Sequence, residues 1–151
     1  MRILIDADAC PASIRKIVVT IARQKQIPVI MLIDTSHQLN DGYSKIITVD
    51  KAADSVDFAL MVLLASDDIV ITQDFGLAAM TLGKGARAIN QNGLVYTNQN
   101  IDRLLMERHI GGKIRRGGGR TKGPTKRTKE DDARFEAAFL GLLDSYSTPL
   151  K

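Results

Sequence analysis

The sequence predicts a three-layer α/β/α fold with a mostly parallel central sheet of about four to five strands. Short apolar runs alternate with segments of helical periodicity from residue 3 to about residue 90. The apolar runs are nearly continuous, which is typical of strands that are buried on both faces. Strands that alternate with helices favour a parallel sheet, because each crossover helix returns the chain to the same end of the sheet.

The composition is that of one globular domain without disulfides. The chain has 151 residues, 44% of them hydrophobic, which is enough to bury a core without staples. It has one cysteine, Cys10, so an intrachain disulfide is excluded. We find no secretory-signal pattern and no apolar stretch of about 18 residues. We therefore expect a cytoplasmic protein with no membrane partner; the oligomeric state is not predictable from these observations.

The first half of the chain is expected to hold three strands and two helices. The run at residues 3–5 is the first strand, and a helix follows from Pro11 to about residue 25, because apolar residues recur there at helical spacing. Residues 27–33 and 45–49 are predicted strands on either side of a polar loop at 34–44. A second helix follows, with its apolar residues between 58 and 64.

The second half begins with a strand at residues 68–72, a short helix at 75–82 and a strand at 86–90. A short extended piece at 94–96 and a helix capped by Asn100 and ending near Arg108 follow. We divide the chain into an α/β domain at 1–109, a basic glycine-rich loop at 110–129 and a C-terminal helix at 130–151. Thr128 and Asp131 form a capping-box pattern at the start of that helix. Its apolar stripe is expected to dock on the domain: Phe135, Ala138, Phe139, Leu142 and Leu143.

Carboxylates follow several of the predicted strands. Asp6 and Asp8 come after the first strand, Asp74 comes after the fourth, and Asp54 and Asp57 open the second helix. The carboxyl ends of parallel strands share one edge of a sheet, where ligands bind in open α/β folds. Clustered carboxylates suit hard divalent cations, so these five residues are candidate ligands for Mg²⁺ or Mn²⁺.

Structural explanations exist for four of these acids. Asp6 could cap the following helix, and Asp8 could be a solvated loop residue. Asp54 and Asp57 would also favour the helix dipole. Asp68, beside Asp67, is expected to be a solvated turn residue.

Two other residue types argue against further catalytic groups. Cys10 is expected to be a small packing or capping residue rather than a nucleophile, because neighbouring acids disfavour a thiolate. The two histidines, His37 and His109, are isolated in the sequence, which argues against a zinc site.

The positive charge is concentrated in one segment. Nine Lys or Arg residues and no Asp or Glu lie between Arg108 and Lys129, whereas the rest of the chain has 12 basic against 17 acidic residues. Such a segment predicts a polyanionic partner. Arg15, on the first helix, either reaches over the acidic edge to a phosphate or is solvated. The candidate nucleic-acid-binding residues are Arg15, Lys113, Arg115, Arg116, Arg120, Lys122, Lys126 and Arg127.

Four stretches carry a resemblance to a known family: I-L-I-D-A-D-A-C-P at 3–11, A-D-S-V-D at 53–57, D-I-V-I-T-Q-D at 68–74, and the glycine–arginine-rich segment before A-R-F-E. They resemble the YaiI/YqxD family of uncharacterised bacterial proteins, which looks like a distant branch of the PIN-like nuclease fold. The resemblance implies that Asp6, Asp57 (or Asp54) and Asp74 hold the metal ion, with Asp8 as an added ligand. It also favours RNA over DNA as the substrate.

The sequence thus predicts a metal-dependent nuclease whose catalytic residues are Asp6, Asp8, Asp57 and Asp74. Two alternatives remain open at this point. The chain could be a nucleic-acid-binding protein without catalysis, which the basic segment alone would explain. It could also be a haloacid-dehalogenase-like phosphatase, although Cys10 stands where that D-x-D motif has Thr or Val.

Overall fold

The computed structural model describes residues 1–34, 38–50, 55–116 and 126–147. Three of the candidate residues, Asp54, Arg120 and Lys122, lie outside the described residues, as do nine of the 20 residues of the predicted loop at 110–129. For Lys113, Arg115 and Arg116 the description covers the helix backbone but not the side chains.

Five strands form a single parallel sheet, which confirms the predicted α/β class. They are β1 (Ile3–Asp6), β2 (Val29–Asp34), β3 (Lys45–Val49), β4 (Ile69–Ile71) and β5 (Arg87–Ile89). The strand order is β3-β2-β1-β4-β5, and every neighbouring pair is parallel. The predicted extended piece near residue 95 contributes one antiparallel bridge, between Val95 and Ile89.

The helices in the described part of the chain are α1 (Ala12–Lys25), α2 (Ser55–Leu63), α3 (Phe75–Gly83), α4 (Asn98–Arg116) and α5 (Lys129–Ser147). A single 3₁₀ turn at Ala7–Ala9 joins β1 to α1. None of these helices combines the length and the apolar character that a bilayer-crossing segment needs.

Alternate residues of the buried strands face two separate cores. On one face of the sheet, Ile3 and Ile5 pack with α1 and α5. Phe135 and Phe139 of α5 are completely buried there. On the other face, Leu4 packs with α2 and α3. Helix α4 packs against α3, and its Ile101 and Leu104 share a core cluster with Ala78 of α3 and Ala88 of β5. Helix α5 therefore contributes to the core on the same face of the sheet as α1, and the structure has three layers.

The order of the strands reverses between β1 and β4. The chain moves from β1 outward to β2 and β3, and then returns to place β4 and β5 on the opposite side of β1. Neighbouring crossovers leave in opposite directions at such a switch point, which opens a crevice at the carboxyl ends of the two central strands. Asp6 ends β1, and Asp74 lies three residues beyond the end of β4.

Helix α4 is longer than predicted, and the predicted loop at 110–129 is therefore wrong at its first residues. The helix begins after Thr97 and continues through Gly111 to Arg116. Thr97 and Asn100 exchange hydrogen bonds at its start, so Thr97 and not Asn100 is the capping residue. A helix that is already formed extends at little cost, and Arg, Lys and Ile around the glycines favour its continuation.

The prediction for Asp68 is also wrong. Its side chain is only 1% exposed and accepts hydrogen bonds from the backbone and guanidinium of Arg2. The backbone N–H of Ala65 donates to the same carboxylate. The neighbouring sequence does not indicate this role for Asp68, because its cationic partner Arg2 lies 66 residues away in the sequence.

Candidate acidic site at the carboxyl edge of the sheet

Thr72 connects the two acids at the switch point. Its hydroxyl donates toward Asp6 Oδ2 at 3.5 Å and accepts from the backbone N–H of Asp74 at 3.0 Å. Thr72 is 3% exposed, so both contacts form where water competes little. Asp74 also caps α3, because its Oδ1 accepts from the backbone N–H groups of Gly76 and Leu77 at 2.8 and 3.2 Å. The structure thus brings Asp6 and Asp74 to one crevice, with Thr72 between them.

The other two described acids lie at the same edge. Asp8, in the 3₁₀ turn, accepts from the backbone N–H of Asp34 at 2.8 Å and so ties the end of β1 to the end of β2. Asp57 lies in the first turn of α2, which begins beyond the carboxyl end of β3. The structural explanation of Asp8 as a solvated loop residue is therefore incomplete, because its carboxylate has a fixed partner.

The electrostatics of Asp6 reflect this crowding of acids. Its pKa is raised from an ordinary 3.8 to about 6, first by burial and then by repulsion from the carboxylates of Asp57, Asp8 and Asp74. The hydrogen bond from Thr72 acts in the opposite direction and is the weakest of these influences. Like charges disfavour ionisation over a few ångströms, so the raised pKa of Asp6 indicates that the four acids share one electrostatic environment.

This raised pKa predicts a pH-dependent effect of removing the Asp6 charge. The pKa of Asp6 is higher in the folded protein than in the unfolded chain, so ionisation of Asp6 lowers stability as pH rises from about 4 through about 6. In the presence of EDTA at pH 7.5, we expect Asp6→Asn to raise the free energy of unfolding by about 1–3 kcal/mol. Near pH 4 the gain should shrink to about 0.5 kcal/mol. Urea denaturation at the two pH values measures this difference.

Asp102→Asn is the matched control, because Asp102 is an exposed acid of α4 that does not contribute to the Asp6 pKa. It should change stability by less than about 0.5 kcal/mol at both pH values. An equal gain for Asp6→Asn at pH 4 and pH 7.5 would show that the pKa of Asp6 is not raised in the folded protein.

The four acids of the crevice have the type of side chain that binds a hard divalent cation. All four side chains are carboxylates, which Mg²⁺ and Mn²⁺ prefer, and a bound cation would relieve the repulsion around Asp6. Within the described ranges, however, no three His, Cys, Asp or Glu side chains are arranged so that they could hold one ion as they stand. The residues that could hold a metal ion are therefore Asp6, Asp8, Asp57 and Asp74 by charge and position, and the metal site stays a prediction.

Arg108, which the sequence does not indicate as a site residue, lies beside the acids. Arg108 Nη1 of α4 is 3.7 Å from Asp74 Oδ1, and the Arg108 side chain is 59% exposed. Asp74 Oδ1 already accepts two backbone hydrogen bonds, so the guanidinium forms only a loose ion pair with it. Arg108 was counted at the start of the basic segment, but its place at the acidic edge depends on the packing of α4 against α3, which the sequence alone does not define.

Hydrogen bonds link the loops around the crevice. Gln73 donates to the carbonyl of Ala9, and Gln91 donates to the side-chain oxygen of Gln73, both at 2.9 Å. The guanidinium of Arg127 donates in turn to the Gln91 carbonyl and to the side chains of Asn92 and Asp132. The loops that follow β1, β4 and β5 are thus joined into one rim, which holds the neighbourhood of Asp6 and Asp74 in place.

Two of the predicted phosphate-binding arginines, Arg15 and Arg127, donate hydrogen bonds to other groups of the protein, and their predicted role toward phosphate stays a prediction. Arg127 is committed to the rim through three hydrogen bonds. Arg15 donates through Nη1 to the carbonyls of Ala7 and Cys10, at 3.3 and 2.6 Å, and so braces the turn that carries Asp8. Neither role is visible in the sequence, since a basic residue has the same appearance whether it binds a phosphate or a carbonyl. Lys126, by contrast, is exposed.

Cys10 behaves as predicted. It is 8% exposed, and burial raises the pKa of its thiol to about 12. A thiol with such a pKa is protonated at neutral pH and is a poor nucleophile.

Comparisons with known proteins agree with the resemblance found in the sequence. Residues 4–145 match the model of the family described as "Uncharacterized BCR, YaiI/YqxD family". A UPF0178 protein of Ruminiclostridium cellulolyticum is 61% identical over 140 residues, which cover 93% of this chain and 90% of the relative. A UPF0178 protein of Clostridium acetobutylicum is 55% identical over 145 residues, or 95% of this chain and 97% of the relative. No solved structure matches the chain significantly. The protein belongs to the YaiI/YqxD family.

Proposed function

We propose that this protein is a Mg²⁺- or Mn²⁺-dependent phosphodiesterase that cleaves nucleic acid, with RNA as the favoured substrate. The observation that carries the proposal is the position of Asp6. It lies at the switch point of the sheet, where its pKa is raised by Asp57, Asp8 and Asp74. Repulsion among clustered acids lowers the stability of the fold, and such clusters with perturbed pKa values occur at functional sites. Metal-assisted hydrolysis is a function that needs these acids close together.

Each residue of the crevice would have a defined part in this chemistry. Asp6, Asp57 and Asp74 would hold the metal ion, with Asp8 as a further ligand. A divalent cation supplies an activated water and neutralises negative charge on the reacting phosphate. Thr72 orients Asp6 and the backbone at Asp74 through its two hydrogen bonds. Arg108 is loosely paired, so its guanidinium could move from Asp74 to a phosphate oxygen of the substrate.

The basic end of α4 supports a polymeric substrate over a small phosphate ester. Helix α4 continues for eight residues past Arg108, which corresponds to about 12 Å at 1.5 Å per residue. Lys113, Arg115 and Arg116 lie on this extension. Backbone phosphates spaced along a strand can engage such a series of cations, whereas a monoester cannot.

The first test of the proposal uses the purified full chain with end-labelled RNA, either single-stranded or folded into a hairpin. We expect cleavage in Mn²⁺ or Mg²⁺ and none in EDTA, because without a metal ion the crevice lacks its nucleophile and its charge neutralisation. Gel electrophoresis of the products measures the rate.

The other outcomes assign the alternatives. RNA binding without cleavage in any metal would identify a binding protein. Hydrolysis of p-nitrophenyl phosphate through a phosphoaspartyl intermediate on Asp6, without RNA cleavage, would identify a phosphatase. Cleavage that persists in EDTA would contradict a metal-dependent mechanism.

A further inference from the structure

A groove runs along one side of α1, outside the acidic crevice. Its volume is about 560 Å³, which lies in the range of small-ligand pockets, about 300–1,000 Å³. Buried Val19 and Met31 and the half-buried Leu39 form an apolar surface within it. Exposed Lys16 and Arg23 lie among its polar lining residues. An apolar surface with cations beside it suits a ligand that has both a flat apolar part and an anionic part.

One end of the groove adjoins the acidic site. Arg15 lines the groove, and its Nη1 donates to the carbonyls of Ala7 and Cys10 in the turn that carries Asp8. From Arg15, the groove continues along α1 to Gln24, nine residues further, or about 13 Å. A chain-like ligand that lies in the groove therefore reaches the carboxyl edge of the sheet at its Arg15 end.

The charge of the groove is positive. Lys16 and Arg23 are seven residues apart and so lie on the same face of α1. Arg23 donates to the carbonyl of Asp41 at 3.2 Å, and its guanidinium lies 5.4 Å from the centre of the Tyr43 ring. Among the described residues that line the groove, Asp41 is the one acid, and the backbone N–H groups of Tyr43 and Ser44 already donate to its carboxylate. The groove thus differs in sign from the crevice beside it.

We propose that this groove binds one nucleoside unit of a nucleic acid strand together with the phosphates on both sides of it, and that the next phosphodiester along the strand lies at the acidic site. The base packs on the apolar surface of Val19, Met31 and Leu39, and the phosphates pair with Lys16 and Arg23. This assignment rests on the proposed function and adds a substrate-binding subsite to it. It also gives the cations of α1 a role that does not depend on the basic segment after α4.

Fluorescence anisotropy of a labelled single-stranded RNA octamer, measured with the full chain in EDTA, tests the subsite without cleavage. We expect the double variant Lys16→Ala, Arg23→Ala to weaken binding by at least about tenfold. Its plot of log affinity against log salt should lose about 1.4 of its slope, because each phosphate contact to a single strand contributes about 0.7. Lys25→Ala is the matched control: it removes an exposed cation of the same helix that does not line the groove, and it should change binding less than twofold.

A second variant tests the base-binding part independently of charge. Thr20 is exposed and lines the groove, so Thr20→Phe should obstruct it without disturbing the core. We expect it to weaken binding of the octamer and of AMP, but not of inorganic phosphate, in isothermal titration calorimetry. Thermal unfolding of each variant checks that the fold is retained.

The outcomes distinguish this assignment from the proposed function. If the wild type cleaves RNA while the double variant and Lys25→Ala bind the octamer equally well, the subsite is wrong and the nuclease proposal stands. Equal effects of Thr20→Phe on AMP and on phosphate would also overturn a nucleotide subsite. If neither the octamer nor AMP binds the wild type, the groove has no such ligand, whatever the cleavage assay shows.

Discussion

Asp6→Asn is expected to lower the rate of metal-dependent RNA cleavage by at least about 100-fold. The substitution removes one negative charge at the centre of the acidic cluster and leaves the size of the side chain almost unchanged. A loss of this order is typical when one electrostatic group of a catalytic centre is removed, about 10²–10³-fold. Because the backbone-binding cations are untouched, RNA affinity in EDTA should stay within about twofold of the wild type. Initial cleavage rates and anisotropy titrations measure the two quantities separately.

Asp74→Asn is the informative companion variant. Asp74 caps α3 through two backbone N–H groups, and asparagine caps helices about as well as aspartate. This variant therefore removes the charge and keeps the cap, so a loss of cleavage with unchanged thermal stability would locate the chemistry at the carboxylate. Asp102 is not among the groups that shift the pKa of Asp6, so the Asp102→Asn variant should cleave RNA at the wild-type rate. If Asp6→Asn and Asp102→Asn cleave RNA equally fast, the acidic crevice is not the catalytic site.

The edge of the sheet that holds the acids was predictable because it follows from local patterns. Ile3–Ile5 and the run before Thr72 are apolar at every position, which identifies buried parallel strands. Parallel strands share one carboxyl edge, so Asp6 and Asp74 had to lie on the same edge of the sheet once the fold class was right. The strand order itself, and with it the place of the switch point between β1 and β4, needed the structure.

The partners of the charged residues were not predictable, because they are set by contacts between distant parts of the chain. Arg127 joins the rim through Gln91 and Asn92, which lie 36 and 35 residues earlier. Arg15 appears in the sequence as one more exposed helix residue, yet it braces the turn of Asp8. Charge patterns indicate which partner a segment suits, whereas tertiary packing decides which of its cations remain available to that partner.

Asp68 is the clearest case of a structural acid, and its removal should have the largest effect on stability. Its buried carboxylate is paired with Arg2, whose guanidinium lies 2.7 Å from Asp68 Oδ2 and whose pKa is raised mainly by this hydrogen bond. Arg2 also donates to the carbonyl of Leu63 at 2.7 Å. The pair therefore connects the start of β1 to the start of β4 and the end of α2. Asp6 lies at the other end of β1, and Thr72 directly follows the other end of β4.

We expect Asp68→Ala to lower the free energy of unfolding by about 3–5 kcal/mol, because breaking a buried ion pair leaves one charge and several donors without a partner. Arg2 is 32% exposed and can partly reach water, which favours the lower end of this range. Asp67→Ala is the matched control. Asp67 is 63% exposed and pairs with the N-terminal ammonium at 3.1 Å, and exposed pairs of this kind contribute little to stability. Urea denaturation of the two variants should separate them by at least about 2 kcal/mol, whereas equal losses would mean that the Arg2–Asp68 pair does not hold β1 and β4 together.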